Sequence, residues 1–231
     1  MNPALIVALD VPCKKDMEEA LNRLPDTLEW YKVGLELFCA EGPAVLEPLK
    51  KRNKKIFLDL KLHDIPNTVA QAVKTAASHG VNLMTVHAIG GRAMLKAAAD
   101  AARECANPPK LVAVTTLTSL SQDDFIDLGI NRSVSDQALA LGEIAISSGI
   151  DGLVTSAHEA GALRQKFPQA LLVTPGIRLP EGDVGDQKRV ATPQFAVQQG
   201  ATHLVVGRPI LQAKDPVAAT AAIYANLNGT R

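Results

Sequence analysis

The stretch Lys55-Ile56-Phe57-Leu58-Asp59-Leu60-Lys61-Leu62-His63-Asp64-Ile65-Pro66-Asn67-Thr68 begins as an apolar strand and ends as a loop. Asp59 and Lys61 are two residues apart, so on a strand both point to one face. Their neighbours are Leu and Phe, which suit a buried surface. Opposite charges emerging from such a strand are costly unless a site uses them. Asp64 adds a third charge where the strand gives way to a loop.

Working outward, the same grammar repeats. Residues 4–9 form an apolar run ending in Asp10, read as a buried parallel strand with a charge at its C-terminal end. Residues 15–24 carry helical spacing at Met17, Ala20, Leu21 and Leu24. Residues 31–38 read as a strand carrying Lys32 and Glu36, and residues 43–51 as a helix made irregular by Pro48. After the opening stretch, residues 67–79 read as a helix stopped by Gly80. Further strands are expected at 83–87, 110–116, 152–154, 170–174 and 203–206. Helices are expected at 90–104, 123–128, 135–148, 159–166, 192–199 and 215–227. Eight strands alternating with helices imply parallel βαβ units. In 231 residues they fit a compact (β/α)8 TIM barrel of class α/β, a single domain over residues 1–231. The competing architecture, an open doubly wound sheet, would favour a GxGxxG in the first βα turn, which is absent.

Lys+Arg and Asp+Glu both number 24, so the net charge is zero. This removes the electrostatic argument for a nucleic acid or an anionic membrane as partner, while leaving room for a small anionic ligand. Cys13, Cys39 and Cys105 are widely spaced with no CxxC pair. They read as reduced thiols in a cytoplasmic protein. The apolar run near the N-terminus is too short for a membrane span.

A barrel gathers its site at the C-terminal ends of its strands. The polar residues expected there are Asp10, Lys32, Asp59, Lys61, Asp64, His87, Thr118, Arg178 and Arg208. Asp10, Lys32, Asp59, Lys61 and Asp64 form an alternating array in which neighbours keep one another ionised. A lysine held as ammonium is a placed proton donor. The competing reading is a structural ion-pair network at the rim. Pro175-Gly176-Ile177-Arg178 and Val206-Gly207-Arg208-Pro209 follow strands seven and eight, where barrels often bind phosphate. Arg supplies bidentate geometry there. Gln187, in the long segment 178–189, is positioned to close over the same anion. No metal site is read, because Lys32 stands where a second carboxylate ligand would be needed.

These residues resemble those of the bacterial orotidine 5′-phosphate decarboxylases. The motifs are Val7-Ala8-Leu9-Asp10, Tyr31-Lys32-Val33-Gly34, Asp59 through Thr68, Thr116-Leu117-Thr118-Ser119, Thr174-Pro175-Gly176-Ile177-Arg178, Gly185-Asp186-Gln187-Lys188-Arg189 and Val206-Gly207-Arg208-Pro209-Ile210. The resemblance implies decarboxylation of orotidine 5′-monophosphate to UMP, the last step of de novo pyrimidine synthesis, without metal or cofactor. It implies that Lys61 protonates C6 and that Asp59 lies by the substrate carboxylate. It gives Lys32 and Asp10 the ribose. Thr118, or Ser119, takes the base. Arg178, Gln187, Gly207 and Arg208 take the phosphate. It also implies a homodimer in which Asp64 and Thr68 reach the neighbouring site, and it makes Ile65 and Pro175 walls of the space receiving CO2. Two other functions stay in view: a metal-dependent sugar-phosphate decarboxylase or aldolase, and a non-catalytic nucleotide-phosphate sensor.

Overall fold

The computed structural model describes residues 3–179 and 190–227. Among them, eight parallel strands close into a barrel in sequence order: β1 (Ala4–Ala8), β2 (Trp30–Gly34), β3 (Lys55–Leu62), β4 (Leu83–His87), β5 (Lys110–Val114), β6 (Gly152–Val154), β7 (Leu171–Thr174) and β8 (His203–Val206). The pairing of Leu5 with Leu204 and Ile6 with Trp30 closes β1 onto both neighbours. This is the (β/α)8 architecture expected from the alternation.

The strands are apolar on both faces because each face meets a different core. Ile6, Ala8, Phe57, Leu83, Val112, Val173 and Val205 fill the barrel interior. Their strand neighbours Leu5, Val7, Tyr31, Val33, Ile56 and Leu58 pack outward against the helices. The period of two therefore assigns direction. Continuing the inward row beyond Ala8 leads to Asp10. Beyond Phe57 it leads to Asp59, and beyond Trp30 to Lys32.

The elements depart from the sequence reading in three places. Residues 35–38 are helical, not strand: β2 stops at Gly34 and the helix Leu35–Glu41 begins at once, burying Leu37. The backbone leaves the barrel wall there, and the apolar spacing of Leu35, Leu37 and Phe38 serves a helix turn. The segment expected as one helix over 43–51 is a 3-10 turn, Gly42–Leu46, followed by the helix Glu47–Lys51. Pro48 has no N–H to give a preceding turn, which breaks the α ladder. A short helix, Arg208–Leu211, follows β8 where only a loop was expected.

At the N-terminal end of β8, the His203 ring meets Trp30 edge-on, with centroids 5.5 Å apart. Its Nδ1 lies 2.9 Å from Thr202 Oγ1. Burial, and secondarily the nearby Lys55 ammonium, pushes the imidazole down to about 4. A depressed histidine contributes stability that is complete above its unfolded value near 6.5 and is lost as pH falls towards 4. We therefore expect unfolding free energy to drop by about 2–3 kcal/mol from this group between about pH 7 and about pH 4.5. Urea melts of the parent and of His203→Phe across that range check this. The variant should show the shallower pH slope, and equal slopes would contradict the assignment.

Candidate active site

A cavity of about 570 Å³ opens at the C-terminal ends of the strands. Its wall includes Asp10, Lys32, Asp59, Lys61, Arg178 and Arg208, drawn from five strands and the loops after them.

The charged array lies along β1, β2 and β3. Asp59 occupies its centre. Lys61 Nζ donates to both of its oxygens at 3.0 Å. Lys32 Nζ is 3.7 Å from Asp59 Oδ2 and donates to Asp10 Oδ1 at 2.7 Å. Lys32 is buried and Asp59 nearly so, whereas Asp10 opens to solvent. The four groups carry two positive and two negative charges, so the row is neutral and each ammonium has a carboxylate. Gly34, which pairs with Asp59 across β2 and β3, makes room for it. A Cβ there would lie 2.7 Å from Lys32 Nζ and 3.3 Å from Asp10 Oδ1.

Asp59 and Lys61 share the cavity side, but not through a regular strand. Lys61 has φ 51°, in the left-handed region that non-glycine residues seldom adopt. The β3–β4 register shifts at the same place: Leu58 pairs with Met84, yet Leu62 pairs with Val86. Four residues advance along β3 while two advance along β4. This bulge aims Lys61 back over Asp59. Thr85 of β4, 1% exposed, faces it. Thr85 Oγ1 accepts the Lys61 backbone N–H at 2.8 Å and donates to Asp59 Oδ1 at 3.0 Å.

On the other flank of β1, β8 and then β7 supply the basic side. Arg178 is buried, with Nη1 donating to its neighbour Ile177's carbonyl at 2.9 Å. Its backbone N–H donates to Ala191 O at 2.9 Å, and Ala191 N–H donates to Gly176 O at 3.2 Å. These bonds pin both ends of the loop after β7 beside the cavity. Gly176 sits at φ 75°, a turn that favours glycine. Gly207 and Arg208 line the adjoining wall.

Of the residues singled out from sequence, Asp10, Lys32, Asp59, Lys61, Thr118, Arg178, Gly207 and Arg208 line one cavity, together with Ser119 and Pro175. Asp64, Ile65 and Thr68 do not. They are exposed at the start of the helix Pro66–Ser78, and Asp64 Oδ1 accepts the Ile65 N–H at 2.7 Å. Gln187 lies outside the described residues. His87 is absent from the cavity wall and stacks on His63, with centroids 5.5 Å apart. Burial first, then the His63 and Lys61 charges, lower its pKa below the ordinary histidine value, which keeps the ring neutral at pH 7. The sequence reading missed Thr85, and it gave no site role to Gln212, Thr116 and Thr155, which line the wall. Gln212 stands four residues after Arg208, a spacing that a predicted helix would have placed on the same side.

The profile described as "Orotidine 5'-phosphate decarboxylase / HUMPS family" matches residues 3–223. A protein named orotidine 5′-phosphate decarboxylase from Hydrogenovibrio crunogenus is 45% identical over 227 residues, covering 98% of this chain and 96% of that one. One of the same name from Moorella thermoacetica is 46% identical, covering 96% and 91%. The crystal structure of orotidine 5′-phosphate decarboxylase from Lactobacillus acidophilus superposes with a TM-score of 0.86 at 41% identity, over 99% of this chain and 100% of that one.

Asp59 separates two ammonium groups, so its removal leaves Lys61 without a carboxylate and Lys32 with Asp10 only. We expect Asp59→Ala to lose about 2 kcal/mol of stability, and Asp10→Ala, on the solvent side, to lose less than about 1 kcal/mol. Urea midpoints at neutral pH measure both. Equal losses would show that Asp59 is not the keystone of the array.

Proposed function

The chain belongs to the orotidine 5′-phosphate decarboxylase / HUMPS family, and from that membership we propose that it removes CO2 from orotidine 5′-monophosphate to give UMP, using no metal and no organic cofactor. The observation that carries the reading is the Lys61 ammonium, chelated by Asp59 on one side of a cavity whose other side holds Arg178, Gly207 and Arg208. A nucleotide spans such a cavity with its phosphate at the arginines and its base over Lys61.

In this reading the C6–carboxylate bond breaks, the electron pair stays on C6, and CO2 leaves. No adjacent carbonyl accepts that pair, so the barrier is high. Enzymes lower barriers by about 8–23 kcal/mol, and this step needs the upper part of that range. Lys61 supplies a positive charge fixed before the reaction begins, stabilises the forming carbanion and passes it one proton, ending as a neutral amine. Asp59 holds Lys61 in place and stands beside the departing carboxylate. Lys32 and Asp10 hold the ribose. Thr118 or Ser119 meets the base. Arg178, Gly207, Arg208 and Gln187 bind the phosphate, far from C6, where binding energy can be used to order the site. A metal-dependent enzyme on this barrel would prefer a carboxylate where Lys32 stands. Here the Lys32 ammonium stands between Asp10 and Asp59, 2.7 Å and 3.7 Å away from them.

We further propose a homodimer in which Asp64 and Thr68 serve the neighbouring cavity. Asp64 and Thr68 are exposed and lie outside their own chain's cavity. Around them, at the ends of β2, β3 and β4, Leu35, Ile65 and Ile89 are 51%, 67% and 53% exposed. Adjacent large apolar side chains on one rim favour a covered surface. No helix among the described residues is long and apolar enough to cross a membrane. The free Cys13, Cys39 and Cys105 support a reducing, cytoplasmic setting. The neutral overall charge supports a small-molecule substrate over nucleic acid.

The parent should consume orotidine 5′-monophosphate, followed by absorbance, in the presence of a chelator. Absence of turnover, or turnover only with added metal, would overturn the reading. Lys61→Ala should lower turnover by at least about a thousandfold while calorimetric UMP affinity stays within about tenfold. A large loss of UMP affinity would instead make Lys61 a binding group. Mixing inactive Lys61→Ala and Asp64→Ala chains should restore about a quarter of parental activity, because half of a symmetric mixture is hybrid dimer and each hybrid holds one intact site. Mixed dimers without activity would refute the shared site.

A further inference from the structure

We infer that Thr85 is a positioning residue of this site: its hydroxyl fixes the left-handed backbone of Lys61 and the carboxylate of Asp59 in one closed ring of hydrogen bonds. The inference rests on the reading of Lys61 as proton donor.

The bulge creates the need. Between the pairs Leu58–Met84 and Leu62–Val86, the three β3 residues Asp59, Leu60 and Lys61 face a single β4 residue, Thr85. Within the bulge the Lys61 N–H donates to a side chain, Thr85 Oγ1. An unmet backbone amide is costly between packed strands, and the left-handed conformation adds strain of its own. The Thr85 side chain meets the first cost and holds the second in place, with Oγ1 2.8 Å from Lys61 N.

The proton order is fixed by chemistry. The Lys61 amide is only a donor, so Thr85 Oγ1 accepts from it. The Thr85 hydrogen is then directed to Asp59 Oδ1 at 3.0 Å, which as a carboxylate oxygen only accepts. The same Oδ1 takes a hydrogen bond from Lys61 Nζ at 3.0 Å. The path thus runs from the Lys61 backbone through Thr85 and Asp59 to the Lys61 ammonium. Both ends of one lysine are referenced to a single hydroxyl on the neighbouring strand. Thr85 is 1% exposed and is not on the cavity wall, so it acts through Asp59 and Lys61 and does not touch the substrate.

Thr85→Val keeps the shape and removes the hydroxyl, and Thr85→Ser keeps the hydroxyl. With orotidine 5′-monophosphate, Thr85→Val should lower kcat by about ten- to a hundredfold while KM and calorimetric UMP affinity stay within about threefold, because misplacing a reacting group by an ångström costs about that much. Thr85→Ser should stay within about threefold of the parental kcat. Amide hydrogen exchange of Lys61, read by NMR without substrate, should be slow in the parent and at least about tenfold faster in Thr85→Val. Parental kcat in Thr85→Val, a kcat in Thr85→Ser as low as in Thr85→Val, or an unprotected Lys61 amide in the parent would each overturn the inference. If Thr85→Val does not fold, the Thr85→Ser rate and the parental exchange still decide it. If the parent itself shows no turnover, the decarboxylase reading fails, and the exchange measurement decides the Thr85 ring separately.

Discussion

Asp59 is shared by two ammonium groups, and the rest of the site depends on that sharing. Lys61 grips both of its oxygens, and Lys32 approaches one of them from β2 while holding Asp10 on the other side. A charge at this depth is costly without a partner of opposite sign. Set in a row with alternating sign, each ammonium has a carboxylate beside it. That row gives the cavity a positive point whose place is fixed before any substrate arrives, which is what stabilisation of a developing anion demands.

The barrel makes the row possible by geometry alone. Its inward positions are filled by apolar side chains up to Ala8 and Phe57, and the next inward positions carry Asp10 and Asp59. The packed layer below keeps water from reaching the charges from beneath. The cavity above stays open between β3 and the β7–β8 loops. Gly34 has no side chain because the space it would occupy belongs to the Lys32 ammonium. Fold and site are thus linked through single positions: the strand period orders the charges, and one missing methyl lets them meet.

Much of this was legible in the sequence. The eight strands could be read because both of their faces are apolar, and the inward direction of Lys32 and Asp59 follows from a period of two. What one strand cannot show is its pairing with the next. The left-handed Lys61 and the single Thr85 facing three residues arise from a register shift between β3 and β4, so the regular alternation gave the right side for Lys61 by a different route. Residues 35–38 were misread because leaving the barrel wall at Gly34 is a tertiary event. Gln212 was hidden behind a helix of four residues, too short to show a period. Asp64 and Thr68 stand apart from their own cavity, and no reading of one chain's periodicity distinguishes a rim residue from one that serves a neighbour.

The central claim is that Lys61, held by Asp59, meets negative charge at C6 of a bound pyrimidine nucleotide. A crystal structure with a UMP analogue carrying an anionic oxygen at C6 tests it most directly. The account predicts that oxygen within about 3 Å of Lys61 Nζ, the phosphate between Arg178, Gly207 and Arg208, and Asp64 of a second chain at the ribose. A nucleotide bound with C6 turned away from Lys61, beyond about 5 Å, would contradict it.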